Sequence, residues 1–551
     1  MLPNSKSSYT VYFSSKRPEK SQLKSNSIVI YPESSNWNDF SYRIRCQLIA
    51  KLNSPLPNKY IELDIFLAFL ADTKTKEDYS GLAHWLKSRS TSGHQLIPAV
   101  EASKFICMLP TIGDYRKVVR AMGVQGAEHL LEAIHDIVTL KNTDKSNSFN
   151  NIQNSKAFSL GFMRNSESFF AFHNADSILK GLSNENFDAI SNNLELTFQL
   201  PNFATPHKLS FRFTGSEIIP KRINILIGKN GLGKSQALNR FCRCALQHKN
   251  EKAILRDESN DSSRPMINRL IAIGTPGETS NTFPGEHLET QKLHYRRVNL
   301  TRGSKVKLTQ NLSNSLIQLV RSEDYIGEQS RWEIFLESID KAIDSNQIHI
   351  LLKDGTSCPL KKLPGYSGEQ HSLELWTNID SSKEPIFVHN DHKAPLSSGQ
   401  LTFFKFAVYC SLMIENGCFV LMDEPETHLH PNLISDFVEL LDTLLEKTGS
   451  YAIIATHSAY FVREVSREQV HIFKSDGTNI SIEQPRLKTF GADIDSISEF
   501  IFEDNISNRM LKRIAEKAVN KSYDEIKNEI GSEISYQALM SLREMKRGLN
   551  E

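Results

Sequence analysis

Ala394-Pro-Leu-Ser-Ser-Gly-Gln400, then an apolar helical pattern, then Cys418-Phe-Val-Leu-Met-Asp-Glu-Pro-Glu-Thr-His-Leu-His-Pro431, carry the plan of this chain. Residues 418–422 are a short continuous apolar run, the pattern of a parallel strand buried on both faces. Asp423 and Glu424 follow at its carboxyl end, the edge where α/β sheets present ligand chemistry. Pro425 then ends the strand. Two acids in this place suit metal-dependent phosphate chemistry, one carboxylate holding a divalent cation and the next orienting a water. Taken alone, the same run also reads as a strand that ends in solvated acids.

A second short strand pattern, Ile223-Asn-Ile-Leu-Ile227, runs straight into Gly228-Lys-Asn230-Gly231-Leu-Gly233-Lys234-Ser235. This is a complete G-x-x-x-x-G-K-S, and a helical pattern follows over 236–247. The glycines let backbone N–H groups curl around phosphate, Lys234 reaches the β- and γ-phosphates, and the Ser235 hydroxyl takes Mg²⁺. The helix that follows turns its positive dipole end toward the same place. Strand before and helix after meet the context the motif requires, so ATP with Mg²⁺ is the expected cofactor. Ile453-Ile-Ala-Thr-His457-Ser458 is one more buried strand pattern with a histidine at its end. A lone histidine there is usually structural. It comes within reach of a γ-phosphate if this strand neighbours the one that ends at Gly228.

The chain has 551 residues, enough for two to four domains, and a formal net charge of +1. Bulk charge therefore points to no partner, and any nucleic-acid surface must be local. Seven cysteines show no C-x-x-C and no framework spacing, as expected of reduced core thiols in a cytoplasmic protein. The polar, basic start lacks an apolar leader segment. The longest apolar stretch, 403–422, is broken by Lys405, Glu415 and Asn416, so no membrane span is expected.

Residues 1–193 read as an N-terminal accessory module, α+β or mainly helical, for nucleic-acid or partner contacts. Strands are expected at 9–13 and 27–31 around a basic turn. Tyr31, Trp37, Phe40 and Tyr42 beside Arg43 and Arg45 suit either single-stranded nucleic acid or an ordinary sheet. Helical periods are read over 63–70, 81–87, 100–107, 114–122 and 127–140. The Asn/Ser/Lys-rich stretch 141–156 reads as a linker, and 157–172 as strand. Residues 194–199 and 209–213 alternate as antiparallel strands do, and 270–273 is a strand pattern followed by a loop over 274–286. Helices are expected at 312–320 and 331–343, and strands at 347–352 and 372–378. Too little chain separates the phosphate-loop helix from Leu396 for a long coiled-coil arm. The tail, 506–551, reads as charged amphipathic helix.

Gly228–Ser235 with Asn230, Leu396-Ser397-Ser398-Gly399-Gln400, Met422-Asp-Glu-Pro425 and Thr456-His457-Ser458 together resemble the Walker A, signature, Walker B and switch-histidine motifs of ABC-type ATPases. The resemblance covers residues 194–460. It implies an α/β ABC-type P-loop ATPase domain over 194–505, with a mixed sheet and a helical insertion at about 290–350. It also implies two ATPs sandwiched in a head-to-tail dimer, where Ser397, Ser398, Gly399 and Gln400 of one subunit face the phosphate loop of the other. In the roles it carries over, Gly228, Asn230, Gly231, Gly233, Lys234 and Ser235 bind ATP, Ser235 and Asp423 hold Mg²⁺, and Glu424 and His457 are catalytic.

Glu426-Thr-His-Leu-His-Pro431 stands in place of the transporter D-loop and resembles the RecF/SMC-like ATPases of DNA repair and bacterial defence, the OLD and GajA nucleases among them. The basic start leading to Trp37-Asn-Asp-Phe40, and Leu487-Lys-Thr-Phe-Gly-Ala-Asp-Ile-Asp-Ser496, look like the PtuA-type ATPases of Septu and retron antiphage systems, more weakly over the first 190 residues. That resemblance implies a homodimer or higher oligomer working beside a PtuB-like HNH nuclease, and in retrons beside a reverse transcriptase and its msDNA. Ser398 stands where Gly is commoner, and no Q-loop glutamine is evident beyond Gln291. Slow or gated hydrolysis follows as the expectation. The chain after His457 is too short for the Toprim nuclease of OLD-type proteins, so no intrinsic nuclease is expected. The rival readings are a RecF-type repair ATPase, a transporter nucleotide-binding subunit, and a module whose ATP is structural.

Overall fold

The computed structural model describes residues 9–33, 44–52, 60–69, 81–87, 96–101, 105–143, 152–153, 155, 157–182, 190–215, 218–219, 221–247, 253–258, 265–274, 279–286, 293–299, 312–322, 324–364, 369–390, 392–429, 431–502, 509–518 and 521–549. The aromatic–basic stretch around Trp37 to Arg43, Gln291, and most of the 141–156 linker lie outside the described residues.

Seven strands form the central sheet, in the order His294–Asn299, Arg269–Gly274, Cys418–Asp423, Tyr451–Thr456, Ile223–Gly228, Val470–Ser475, Ile480–Glu483. All neighbours are parallel except the last pair, which is antiparallel. The apolar runs dictate this placement, because a parallel strand buried on both faces cannot alternate polar and apolar residues. Phe419 and Leu421 enter one apolar core while Val420 and Met422 enter the other. The first core runs on into the N-terminal region, and the second into the segment between the edge strand and Ser397.

The N-terminal region is built on a six-stranded sheet, in the order Ile97–Pro98, Thr10–Phe13, Ser27–Pro32, Arg45–Lys51, Tyr60–Phe69, Phe105–Met108. Thr10–Phe13 pairs in parallel with Ser27–Pro32, and the other pairings are antiparallel. The helical period read over 63–70 is corrected here. Ile61, Leu63 and Ile65 point into the core while Glu62 and Asp64 face out, and Phe66–Phe69 is buried throughout. A half-alternating, half-continuous run imitates a helical stripe, and the sheet pairing decides it. The helix read over 100–107 is likewise a short turn at Ala99–Glu101 and the strand Phe105–Met108. Residues 157–172, read as strand, are a wide helical turn at Ala157–Phe162 and the start of a helix at Ser166–Leu179.

A three-stranded antiparallel sheet, Ala253–Asp257, Asn193–Phe198, His207–Arg212, packs against the helix Lys234–Ala245 that follows the phosphate loop. Between His294–Asn299 and Ser397 the chain forms helices Leu312–Arg321 and Arg331–Asp340. It then adds a four-stranded antiparallel sheet of Ser357–Pro359, Ile348–Leu351, Ile386–His389 and His392–Pro395. The strand read at 372–378 is instead the helix Glu369–Asn378. Ser372, Leu375, Trp376 and Ile379 bury one side of that segment at helical spacing. Helices Arg509–Lys517, Tyr523–Ile530 and Tyr536–Leu549 close the chain around a small core of Leu511, Ala515, Ile526 and Leu542. All seven cysteines are free thiols, and six of them are buried.

One buried carboxylate ties three of these regions together. Glu415 lies in the turn between helix Ser398–Met413 and strand Cys418–Asp423. Arg331, from the inserted segment, donates to it at 2.7 Å, and Arg116, from the N-terminal helix Ile112–Ala133, approaches to 3.5 Å. Arg116 also donates to Asn416 Oδ1 at 2.6 Å, and Arg331 to the Ile414 carbonyl at 2.6 Å. Burial alone would push the Glu415 carboxyl up, but Arg331, Arg116 and Arg269 overrule it and hold the pKa at about 2.

Glu415→Ala leaves two buried guanidinium groups without their shared counter-charge, and should cost about 3–5 kcal/mol. The folded-state pKa lies below the unfolded value of roughly 4.3, so this contribution is complete above that value and is lost as pH falls toward the folded one. Urea unfolding midpoints of the two proteins at neutral and at acid pH measure both effects. Equal midpoints at neutral pH would contradict the account.

Candidate functional site

Sheet order brings the candidate residues together from far apart in the chain. The strands ending at Gly228, Asp423 and Thr456 lie side by side, with Tyr451–Thr456 in the middle, and all three run the same way. The phosphate loop leaves the first of them under strict backbone demands. Gly228, Gly231 and Gly233 have φ of 150°, 80° and 97°. A Cβ on Gly228 would lie 2.5 Å from the Phe473 carbonyl oxygen, and one on Gly233 would lie 2.8 Å from Leu200 Cδ1. Only glycine fits those positions.

Lys234 is buried, and its ammonium donates to the carbonyls of Gly228 at 2.9 Å and Lys229 at 3.1 Å. Burial lowers its pKa to about 8, against the opposing pull of Glu424, Asp423 and Glu426. The Ser235 hydroxyl donates to Asp423 Oδ1 at 3.0 Å, and the Thr282 hydroxyl donates to Asp423 Oδ2 at 2.7 Å. Burial raises the Asp423 pKa, and those two hydroxyl donors oppose it.

Glu424 takes a left-handed backbone conformation at φ 50° and ψ 53°, uncommon for a non-glycine residue. Its N–H donates to the Ala455 carbonyl at 2.8 Å, and its Oε1 lies 3.3 Å from His457 Nε2. Burial and then Lys234 push the His457 pKa down, so the ring is neutral at pH 7 and the contact is polar rather than an ion pair.

Asn230, Gly231, Gly233, Lys234, Ser235, Asp423, Glu424 and His457 all line one cleft of about 530 Å³, within the range of small-molecule sites. Ser397, Ser398, Gly399 and Gln400 do not line it. They open the helix Ser398–Met413, where the Ser397 hydroxyl accepts from the Gln400 N–H at 3.3 Å and the Gln400 side chain accepts from the Ser397 N–H at 3.0 Å. This capping box fixes the helix N-terminus outside the lining of the cleft.

Three features of the cleft were not legible beforehand. Thr282, on the short helix Thr279–Thr282 inside the segment read as a loop, supplies the second hydroxyl on Asp423. Residues 200–203, in the turn between Asn193–Phe198 and His207–Arg212, form a wall that includes Phe203. Glu426, two residues beyond Glu424, folds back so that its Oε1 accepts the His457 backbone N–H at 2.7 Å. Its Oε2 is buried without a hydrogen bond among the described residues, and burial raises its pKa. The repeated acid in Asp-Glu-Pro-Glu was the only sequence signal for it.

The donors around Ser235 and Asp423 are all oxygen, which suits Mg²⁺. Among the described residues no group of three or more His, Cys, Asp or Glu could cage a metal. Mg²⁺ needs no such cage, since it takes one or two protein oxygens together with nucleotide phosphates. The glycine cradle and the lysine above it fit a triphosphate.

Strand order, phosphate loop, acidic strand and the helix opening at Ser397 define an ABC/SMC-like P-loop nucleotide-binding fold. Residues 313–463 match the family model described as "AAA domain, putative AbiEii toxin, Type IV TA system". Protein ea59 of Escherichia phage lambda is 24% identical over 351 residues, which cover 61% of this chain. The chain spans 65% of that protein's length. Among solved structures, an SMC head bound to the C-winged helix domain of ScpA is 12% identical with a TM-score of 0.30, covering 54% of this chain and 98% of its own. The SMC head domain from Thermotoga maritima is 14% identical with a TM-score of 0.28, covering 54% and 100%.

Removing the Glu426 carboxylate should free the His457 amide. In Glu426→Ala the His457 N–H should exchange with solvent deuterium roughly tenfold faster, the loss of one hydrogen bond of about 1–1.5 kcal/mol. Glu426→Gln, which keeps an acceptor oxygen, should stay near wild type. Equal exchange in Glu426→Ala and wild type would contradict the contact.

Proposed function

We propose that this chain binds and slowly hydrolyses ATP as the ATPase component of a bacterial antiviral defence system, of the retron-linked PtuA type. It works in the cytoplasm as a dimer or higher oligomer closed around ATP. The observation that carries the reading is the convergence of Lys234, Ser235, Asp423, Glu424 and His457 on one cleft at the ends of three adjacent parallel strands.

The reading gives each of these residues a role. The loop N–H groups around Asn230 and Gly231 and the Lys234 ammonium bind the phosphates, and Ser235 and Asp423 hold Mg²⁺. Bound there, Mg²⁺ neutralises charge on the phosphate oxygens. Glu424 orients the water that attacks the γ-phosphorus, so that ADP and phosphate leave. The neutral His457 ring, held through its backbone by Glu426, donates toward the γ-phosphate. Ser397, Ser398, Gly399 and Gln400 serve the partner subunit's ATP, which is why a helix N-terminus so suited to phosphate lies off its own cleft.

The defence reading draws support from the toxin–antitoxin description of the matched family and from the PtuA-like segments, the basic start leading to Trp37–Phe40 and the stretch Leu487–Ser496. In this reading the ATP-closed oligomer holds or releases a PtuB-like HNH nuclease, with a reverse transcriptase and msDNA in the same complex. The nuclease partner, rather than this chain, cuts nucleic acid in this reading. No helix among the described residues is long and apolar enough to cross a membrane.

Affinity purification of tagged Glu424→Gln from its native host, with ATP present, tests both halves of the proposal. The expected product is a stable ATP-bound dimer with a small HNH protein. A variant that turns over ATP as fast as wild type would overturn the role of Glu424. Recovery with DNA-repair proteins alone would favour a RecF-like repair ATPase without a toxic partner.

A further inference from the structure

Away from the nucleotide cleft, two adjoining cavities of about 780 and 1000 Å³ share Arg269, Arg321, Ser322 and Asp324 in their walls. They share no lining residue with the nucleotide cleft. The N-terminal helix Ile112–Ala133 borders one side, the basic edge strand His294–Asn299 lines one end, and the inserted helix Leu312–Arg321 borders both cavities.

The charge balance of this trough is set by which groups already have partners. Among the described residues each wall carboxylate is answered within the fold. Glu62 takes a bidentate contact from Arg17, and Asp114 caps its helix through Thr111. Glu286 accepts the Arg297 N–H at 2.7 Å and lies 3.9 Å from Arg296. Asp324 lies 3.7 Å from Arg331, and Glu415 is shared by Arg331 and Arg116. Lys117, Arg120 and Arg321 are exposed, and among the described residues none of them forms an ion pair with a carboxylate. Among the described residues positive charge is therefore in surplus where solvent meets the trough.

Two of these cations lie over aromatic rings. The Arg120 guanidinium is 3.1 Å from the Tyr325 ring centroid, and that of Arg321 is 5.7 Å from the Trp376 ring. Guanidinium and aromatic groups side by side offer flat surfaces to bases, while the same cations neutralise phosphate. An acidic peptide would use the charge but not the planes. A duplex keeps its base faces stacked on one another and could not use the planes either.

We infer that this trough is a binding site for single-stranded nucleic acid, held by Lys117, Arg120 and Arg321 on its backbone and by the Arg120–Tyr325 and Arg321–Trp376 cation–ring pairs on its bases. The site stands independently of ATP hydrolysis, because the two sites share no residue.

The test is fluorescence anisotropy of a labelled oligothymidylate of about 20 nucleotides with the full, nucleotide-free chain, over roughly 50 to 200 mM salt. Wild type should bind, and its affinity should fall steeply with salt. Combined Lys117→Ala, Arg120→Ala and Arg321→Ala should weaken binding tenfold or more and reduce the log–log salt slope by about 2, at roughly 0.7 per phosphate contact on a single strand. Arg120→Lys with Arg321→Lys should keep the salt slope but lose several-fold in affinity, because charge remains while the planes are gone. Phosphate release and melting temperature should be unchanged in all of these variants, which separates the site from the ATPase reading and from misfolding. The inference is overturned by wild-type protein that does not bind, by a triple variant that binds as wild type does, by a duplex that binds as tightly, or by poly-glutamate that competes at equal charge.

Discussion

The hydrogen bond from Ser235 to Asp423 closes a gap of 188 residues in sequence, and the site depends on it. It can form only because three strands buried on both faces lie parallel and in register, so that their polar ends emerge at one edge. Apolar continuity within each strand and polarity at each carboxyl end are one constraint seen twice. A polar residue inside Cys418–Asp423 would lie in one of the two cores, and an apolar residue at Asp423 would leave the Ser235 and Thr282 hydroxyls without their acceptor.

Near that edge one buried joint ties several elements together. Helix Ser398–Met413 begins at the Ser397 cap and ends at the turn holding Glu415, three residues before the acidic strand starts. Arg116 fastens the N-terminal helix to that turn, and Arg331 fastens the inserted segment to it. The two additions to the nucleotide-binding fold thus grip the same joint, at the end of the helix that Ser397 caps. Buried ion networks of this kind hold geometry more than they add stability. The trough bordered by Lys117 and Arg321 opens between the same two additions.

Much of the central sheet was legible because its signals are local. The phosphate loop, the three apolar runs that end in chemistry, and the Leu396–Gln400 stretch are all defined by residues adjacent in sequence. The errors fell where the pattern was ambiguous or the partner distant. Residues 63–70 mix alternation with a continuous apolar run, which periodicity alone cannot assign, and residues 372–378 carry a helical stripe that is only four residues deep. Thr282 and Glu426 could not be assigned a role, because each acts across strands, on Asp423 and on the His457 N–H respectively. The Glu415 network depends on arginines 299 and 84 residues away and leaves no mark in local sequence.

The central claim is that one cleft joins a phosphate loop to a metal-holding acid. Steady-state phosphate release from ATP, measured for wild type with Mg²⁺, for wild type with EDTA, and for Asp423→Asn with Mg²⁺, tests it most directly. The account predicts slow release in the first case and near-background release in the other two. Undiminished release in EDTA or in Asp423→Asn would contradict it.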